Sequence, residues 1–494
     1  MLSGSINSNL NALYALNSLN STGNTANNLE QQLSSGLSIN SPADNPAGYI
    51  AAQGFTTQIG GVEQAISNVN QAISLVQTAT GAVQQQVNLL QQIRTIANQA
   101  ANAINTPSQL ASLQDVVAQL QTQVTTISQQ AQFNNQNLLD GSFQGVQFQI
   151  GANAGQNINF SFANTGAANI GVYQSAAASP SVYTTAGSAT GGAFDNTGNS
   201  FTISAAAGGF TAGAVNVAGT AGAANIAVAS ATESAQNVAT SVNAVTDKTN
   251  VSAVANTSVA FTVTAGTLNF TIGNGTTGAQ TNAVNISATV TSVTAAGLSS
   301  LVNAINQATS QTGVTASVNS SNQLVLTQAQ GDNISFTGFT GTGALAAGGV
   351  TINGGAATGL VQGLVTMQSS ASFALSAAAS DIGLQQTSGL TSLSAVDVST
   401  VGGANAALNI VDFAIQGLEN VGAEAGALQQ RLNATVSNLQ TSDVNLTAAR
   451  ATVQDANIPA VTTKLTQQQI LQQAGVDALA QAGQLQQSFL RLLQ

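Results

Sequence analysis

Residues 59–90 read IGGVEQAISNVNQAISLVQTATGAVQQQVNLL, and this stretch decides the fold. Ile59, Val62, Ile66, Val69, Ile73, Val76, Thr80, Val83, Val87 and Leu90 follow one another in alternating steps of three and four, and only Thr80 among them is not apolar. An apolar side chain every 3.5 positions or so keeps one helix face turned towards a neighbouring helix, so four heptads of it predict a coiled-coil seam. A second run repeats the pattern near the C-terminus: Val411, Ala414, Leu418, Val421, Ala425, Leu428, Leu432, Thr435, Leu439, Ser442, Leu446, Ala449 and Val453. That seam is weaker, because Thr435 and Ser442 interrupt it and Ala fills three places. Small residues let helices approach closely but bury less area each. On periodicity alone an ordinary helical bundle fits as well.

Outward from the heptads, the two ends change character. Ile6, Leu10 and Leu13 mark an amphipathic helix at the start. Leu465, Leu471, Leu479, Leu485, Phe489 and Leu492 mark a less regular one at the end. Their opposite faces are Asn, Gln, Ser and Thr, almost without charge. Short helices are marginal in water unless something covers the apolar stripe. The expectation is that these ends are disordered alone and helical once neighbouring subunits cover them. Ser41-Pro42-Ala43-Asp44-Asn45-Pro46 and Asn457-Ile458-Pro459 stand between each end and its heptad helix. Proline removes a backbone donor and disfavours helix before it, so both segments predict bends, with Pro459 suited to a first helical turn.

Between about 175 and 395 the chain turns to Gly, Thr, Ser, Ala and Asn in short alternating runs, a β-rich middle inserted between helical ends. Residues 259–264 and 268–272 flank a Gly-containing turn and predict a hairpin. In residues 291–340, Leu298, Leu301, Val302 and Ile305 have helical spacing. Val314 to Val318, Leu324 to Leu326 and Ile334 to Phe336 read as strands, making a small α+β unit. Residues 186–258 are of low complexity and fit short-side-chain strands or a loop equally.

Composition excludes much chemistry. The 494 residues contain no Cys, His or Trp, and 5% are charged, against about 25% in ordinary globular domains. There are no disulfides or thiolates, no His general base and no zinc site built on His or Cys. Isolated acids such as Asp195, Glu233, Asp247 and Asp332 show no pairing, so no catalytic, cofactor-binding or metal-binding residue is assigned and no enzyme is expected. With 17 acids against 6 scattered bases and a net charge of −11, nucleic-acid binding is not expected. Residues 1–20 lack the basic start and apolar run of a Sec-type signal, and no run reaches the roughly 18 apolar residues of a membrane span.

Leu33-Ser34-Ser35-Gly36-Leu37-Ser38-Ile39-Asn40-Ser41-Pro42-Ala43-Asp44-Asn45-Pro46-Ala47-Gly48 resembles the signature segment of bacterial flagellins. Gln132-Phe133-Asn134, Leu138-Leu139-Asp140-Gly141 and Phe148-Gln149-Ile150-Gly151 resemble the family's region after its second long helix. Ile470-Leu471-Gln472-Gln473-Ala474-Gly475, Leu479-Ala480-Gln481-Ala482 and Leu492-Leu493 resemble its C-terminal helix. Residues 291–340 look like the module inserted in flagellins and hook proteins. The family usually carries a basic residue where Ser38 stands, so a salt bridge from that place is missing.

The resemblance implies an α+β chain whose long terminal helices form coiled-coil core domains around an inserted β-rich outer region. Residues 1–42 and 457–494 then make the inner-core helices, 43–175 and 396–456 the outer-core domain, and 176–395 the surface insertion. It implies a non-enzymatic subunit of the swimming filament, exported unfolded through the flagellar channel and found outside the cell, with no cofactor and no membrane insertion. Its partners would be further copies of itself, an export chaperone, a cap protein and a hook-associated junction protein. Packing inside one subunit falls to Ile59, Val62, Ile66, Val69, Ile73 and Val76 facing Leu418, Leu428, Leu432 and Leu439. Packing between subunits falls to Ile6, Leu10, Leu13, Leu471, Leu485 and Leu492. Two other readings stand beside it: a hook–filament junction protein, and a flagellin-like cell-surface carbohydrate-binding protein. The second would need a binding face in the middle block, where the aromatics are Tyr183, Phe194, Phe201, Phe210, Phe261, Phe270, Phe336 and Phe339.

Overall fold

The computed structural model describes residues 10–176, 181–184, 213–228, 233–276, 279–347, 350–353, 358–376, 384 and 386–492. In chain order the helices are α1 (Leu10–Ser35), α2 (Pro46–Ala100), α3 (Pro107–Gln130), α4 (Ala235–Asn243), α5 (Thr246–Thr249), α6 (Ala295–Gln307), α7 (Thr309–Thr312), α8 (Val401–Gln454) and α9 (Ile458–Leu492). The chain divides into two compact units. One comprises residues 1–78, 144–161 and 425–494, the other residues 79–143 and 162–424. These boundaries fall inside α2 and α8, whereas the sequence reading placed its divisions at the turns.

The first unit is built from helix ends whose capping is written in the sequence. Asn45 caps α2: its Oδ1 accepts from Gly48 N at 3.0 Å, and Pro46 opens the helix where a missing donor costs nothing. Asn457 does the same for α9, accepting from Ala460 N at 3.2 Å. Gly36 ends α1 at φ +73°, a left-handed conformation that other residues adopt at a cost. The two bends are tied together. Ser38 N and Oγ both donate to Gln454 O, at 2.6 and 3.1 Å, and Ala456 N donates to Gly36 O at 2.9 Å. The hairpin β3 (Val146–Gln149) and β4 (Asn157–Phe160) stacks Phe148 on Phe160 at 5.1 Å. It lies on α2, where Asn68 Nδ2 donates to Gln149 O at 3.2 Å. A Cβ on Gly61 would meet Ala152 Cβ at 2.8 Å, so glycine is what lets the hairpin tip approach the helix.

The second unit holds the remaining strands. The turn between β1 (Gln132–Phe133) and β2 (Gln136–Asn137) puts Asn134 and Asn135 at φ +48° and +62°, the geometry a two-residue hairpin loop requires. The others are β5 (Gly171–Ala176), β6 (Ser181–Thr184), β7 (Gly213–Gly219), β8 (Gly222–Val228), β9 (Ser252–Thr264), β10 (Gly266–Thr276), β11 (Ala279–Val290), β12 (Val314–Val318), β13 (Leu324–Gln328), β14 (Ile334–Gly341), β15 (Ala344–Ala347), β16 (Val350–Ile352), β17 (Thr358–Gln362), β18 (Leu364–Ser369), β19 (Ala374–Leu375) and β20 (Gly389–Ser392). They form sheets ordered β11-β10-β14-β17-β6, β12-β13-β9-β18-β5-β20 and β19-β7-β8, with β15 and β16 joined to β9. The α+β unit expected at 291–340 is present as α6, α7, β12, β13 and β14.

The hairpin expected from 259–264 and 268–272 is corrected. Those strands lie in β9 and β10, which belong to different sheets. Only Ala265 separates them, and a hairpin needs a loop of at least about two residues, so the chain turns a corner and changes sheet. Gly266 sits at that corner at φ +149°, where a Cβ would stand 2.6 Å from Gly343 N.

Candidate assembly surfaces

The heptad positions on α2 are unequally covered. Val62, Val69, Val76, Val83 and Leu90 are buried, as are Ile59 and Val87. Ile66, Ile73 and Thr80 are half-buried. The positions buried beside the first row are one residue earlier: Ala65, Ala72, Ala79, Gln86, Ile93 and Ala100, each seven after the last. The seam is thus centred on small side chains, with the isoleucines on its flank. A search for large apolar residues selects the flank, while closest approach selects alanine.

On α8, Leu418 and Leu432 are fully buried and Leu428 and Leu439 half-buried. Leu428, Leu432 and Leu439 share a compact unit with Ile59 to Val76, whereas Leu418 falls in the unit that holds residues 79–100. There Arg94 Nε donates to Asp412 Oδ1 at 2.5 Å, raising the guanidinium's pKa, and ties α2 to α8. Both side chains are about half exposed, so the pair adds little stability.

Glutamines on α2 and α3 act as clamps. Gln86 is fully buried; its amide donates to Val124 O at 2.9 Å and to Thr165 O at 3.3 Å. Gln114 and Gln121, seven apart on α3, hold the segment before α8: Gln121 Nε2 donates to Leu393 O at 2.8 Å, and Gln114 Oε1 accepts from Val398 N at 2.7 Å. The signal was present in spacing, since Gln86 occupies the heptad place between Ala79 and Ile93. Gln86→Leu is expected to cost about 1–3 kcal/mol by stranding buried carbonyls. Thermal unfolding checks this, and an unchanged midpoint would show that the amide contributes nothing.

Three carboxylates order loops. Asp44 accepts from Ser41 N at 2.8 Å and Asn40 N at 2.9 Å, and these bonds hold it below the usual carboxylate range. The Ser142 and Ser399 hydroxyls and amides do the same for Asp140 and Asp397. Each carboxylate's pKa is depressed by folding, so its contribution is present above the unfolded value, about 3.9, and is lost as pH falls through the lower folded value. Amide signals of Asn40 and Ser41 should therefore shift with a midpoint below that value. A midpoint above it would remove these bonds from the account.

The terminal helices are different. α1 packs against α9, so the stripes have a partner within the chain, correcting the expectation that they lack one. A Cβ on Gly475 would meet Leu19 Cδ1 at 3.3 Å. Ala26 and Leu29 are buried, yet other apolar side chains of the two helices stay open: Leu10 at 61% exposure, Leu13 at 57%, Tyr14 at 68%, and on α9 Ile470 at 61% and Leu471 at 48%. Ile470 and Leu471 line an open groove with Thr463, Thr466 and Gln467. Ile6 lies outside the described residues, as do the side chains of Leu485 and Leu492.

The helical ends match the family model of the bacterial flagellin N-terminal helical region over residues 6–144 and that of the C-terminal helical region over residues 408–493. A B-type flagellin of Pseudomonas aeruginosa is 35% identical over 514 aligned positions, covering 99% of each chain. The chain belongs to the bacterial flagellins. Flagellin A of Vibrio cholerae is 39% identical over 117 residues, 24% of this flagellin and 31% of that one. The flagellin hook IN motif matches residues 267–330. The solved FliC of Burkholderia pseudomallei aligns over 73% of this chain and 99% of its own at 21% identity, with a TM-score of 0.30. This flagellin is accordingly a structural subunit of the flagellar filament, an extracellular assembly. No helix among the described residues is long and apolar enough to cross a membrane. Phe261, Phe270, Phe336 and Phe339 pack in the core of the second unit. Phe194, Phe201 and Phe210 and the side chain of Tyr183 lie outside the described residues.

Proposed function

We propose that the open apolar side chains of α1 and α9 form the surface through which subunits join, and that the β-rich middle faces water. The observation that carries this is the contrast in exposure. Leu10, Leu13, Ile470 and Leu471 are open on helices that carry almost no charge, while the heptad row of α2 buries most of its apolar side chains and that of α8 keeps its leucines buried or half-buried. Helices owe most of their stability to packing of an apolar face, and covering the open face of this pair with further copies supplies burial that the pair alone lacks. A chain with no disulfide and few charges suits export in an unfolded state, with an export chaperone holding the open ends, a cap protein at the growing tip and a junction protein at the base.

The test is seeded assembly of the purified subunit, whole and trimmed. In the trimmed form Gln174 is joined to Gly389 through a two-residue Asn-Gly turn. These two residues are register partners on β5 and β20, so the cut closes an existing ladder. Both forms are expected to grow long filaments. A whole subunit that adds once and stops would favour the junction-protein reading. A trimmed subunit that folds but never adds would place the middle in the assembly core and contradict the proposal.

A further inference from the structure

We infer that residues 213–255 with 365–375 form a second copy of the module built by residues 266–341, split in two because that module is inserted into it. The hook IN motif matches only within the inserted copy, over residues 267–330. The inference stands apart from the assembly proposal.

The recurrence begins in sequence. Val242-Asn243, Thr246, Thr249 and Val251-Ser252-Ala253 correspond to Ile305-Asn306, Thr309, Thr312 and Val314-Thr315-Ala316, at a constant offset of 63 positions (243 to 306, 249 to 312, 253 to 316). The corresponding side chains make the same bonds. Asn243 Nδ2 donates to Ala253 O at 2.9 Å while its Oδ1 accepts from Ala253 N at 2.8 Å. Asn306 clamps Ala316 in the same two-sided way, at 2.9 and 2.7 Å. Thr246 Oγ1 donates to Val251 O at 3.0 Å, and Thr309 Oγ1 to Val314 O at 2.7 Å. Thr249 and Thr312 each donate back into the preceding turn, to Val245 O and Ala308 O, and accept from the amide two residues on. Between helix and strand, Asn250 and Gly313 both stand in the left-handed region, at φ +58° and +67°. An amide that bridges a helix end to both backbone groups of one strand residue is specific geometry; finding the whole set twice at one offset points to one module present twice.

The sheets repeat as well. β8-β7-β19 has the order and antiparallel sense of β11-β10-β14. Val215 opposite Ile226 corresponds to Phe270 opposite Ile286, and Val217 opposite Leu375 to Ile272 opposite Phe336. The strand after the short helix also pairs alike: Ser252 with Gln368 as Thr315 with Thr327, and Ala255 with Val365 as Val318 with Leu324. Even the hydroxyl contact recurs, Ser252 Oγ to Gln368 O at 3.4 Å and Thr315 Oγ1 to Thr327 O at 3.2 Å. The two copies part at one place. The inserted copy closes β12 to β13 with residues 319–323. The outer copy leaves at Asn256 and returns at Leu364, and those two residues face each other across the ladder. Each copy has its own buried cluster, one around Val217, Val242 and Met367, the other around Ile272, Ile305 and Leu326.

The experiment replaces residues 256–364 of the full chain with the inserted copy's own loop, residues 319–323, and follows hydrogen exchange. Protection over 235–253 and 365–369 is expected to stay within about threefold of the whole chain. Exchange there at the rate of an unfolded peptide, with α2 and α8 still protected, would overturn the inference. Two substitutions in the otherwise intact chain test it independently of the excision. Asn243→Ala should speed exchange about tenfold or more in 213–255 and 365–375 alone, and Asn306→Ala in 266–341 alone. If either substitution loosens both segments equally, there is one core rather than two copies, and the inference fails.

Discussion

Leu432→Ala destabilises the free subunit by about 2–5 kcal/mol, the range for removing a fully buried leucine with partial collapse of the site. Leu432 has no exposed surface and lies on the α8 seam, in the compact unit that also contains Ile59 to Val76. A domain's whole stability is about 5–15 kcal/mol, so the loss removes a large share of it. Calorimetry of the monomer reads it directly. A shift below about 1 kcal/mol would mean that the site refills or that this end of α8 contributes little in the free subunit. Leu428→Ala should cost less, because Leu428 is only half-buried.

Leu10→Ala acts on the other side of the division. Its side chain is 61% exposed and that of Leu13 57%. Truncating an exposed leucine changes folding by no more than about 0.5 kcal/mol, so the melting of the monomer stays where it was. Seeded growth is expected to fail, because the same truncation is repeated at every subunit and each contact loses buried apolar area. Leu471→Ala on α9 should behave alike. If Leu10→Ala melts the monomer as severely as Leu432→Ala, the terminal pair is part of the folding core. If it neither melts the monomer nor slows growth, the open apolar side chains are not the joining surface.

The helical ends were legible because their signals are local. Pro42, Pro46 and Pro459 name the bends, Pro459 also a first helical turn, and seven-residue spacing over 59–90 names a seam. Its centre was less legible, because Ala65, Ala72 and Ala79 carry little hydrophobicity, and nothing in Gln86 alone says that its amide will satisfy two buried carbonyls. The terminal stripes were read as amphipathic helices but were left without an internal partner. Pairing α1 with α9 joins segments more than four hundred residues apart, and no local pattern encodes that. In the middle, α6 and its following strands were visible as periodicity. The strands β7 and β8 were not, since Gly, Ala and Asn fill the positions where strands usually carry branched side chains. The corner at Gly266 and the split module belong to long-range pairing, which shows in the sequence only as a 63-residue echo of Asn, Thr and Ala.

The central claim is that folding contacts and joining contacts occupy different helices. Hydrogen exchange of the unaltered protein, measured as monomer and as filament, tests it most directly. The account predicts that exchange over 10–35 and 458–492 slows by orders of magnitude on assembly, while residues 235–253 and 295–328 exchange alike in both states. Equal exchange of the terminal helices in monomer and filament would contradict it.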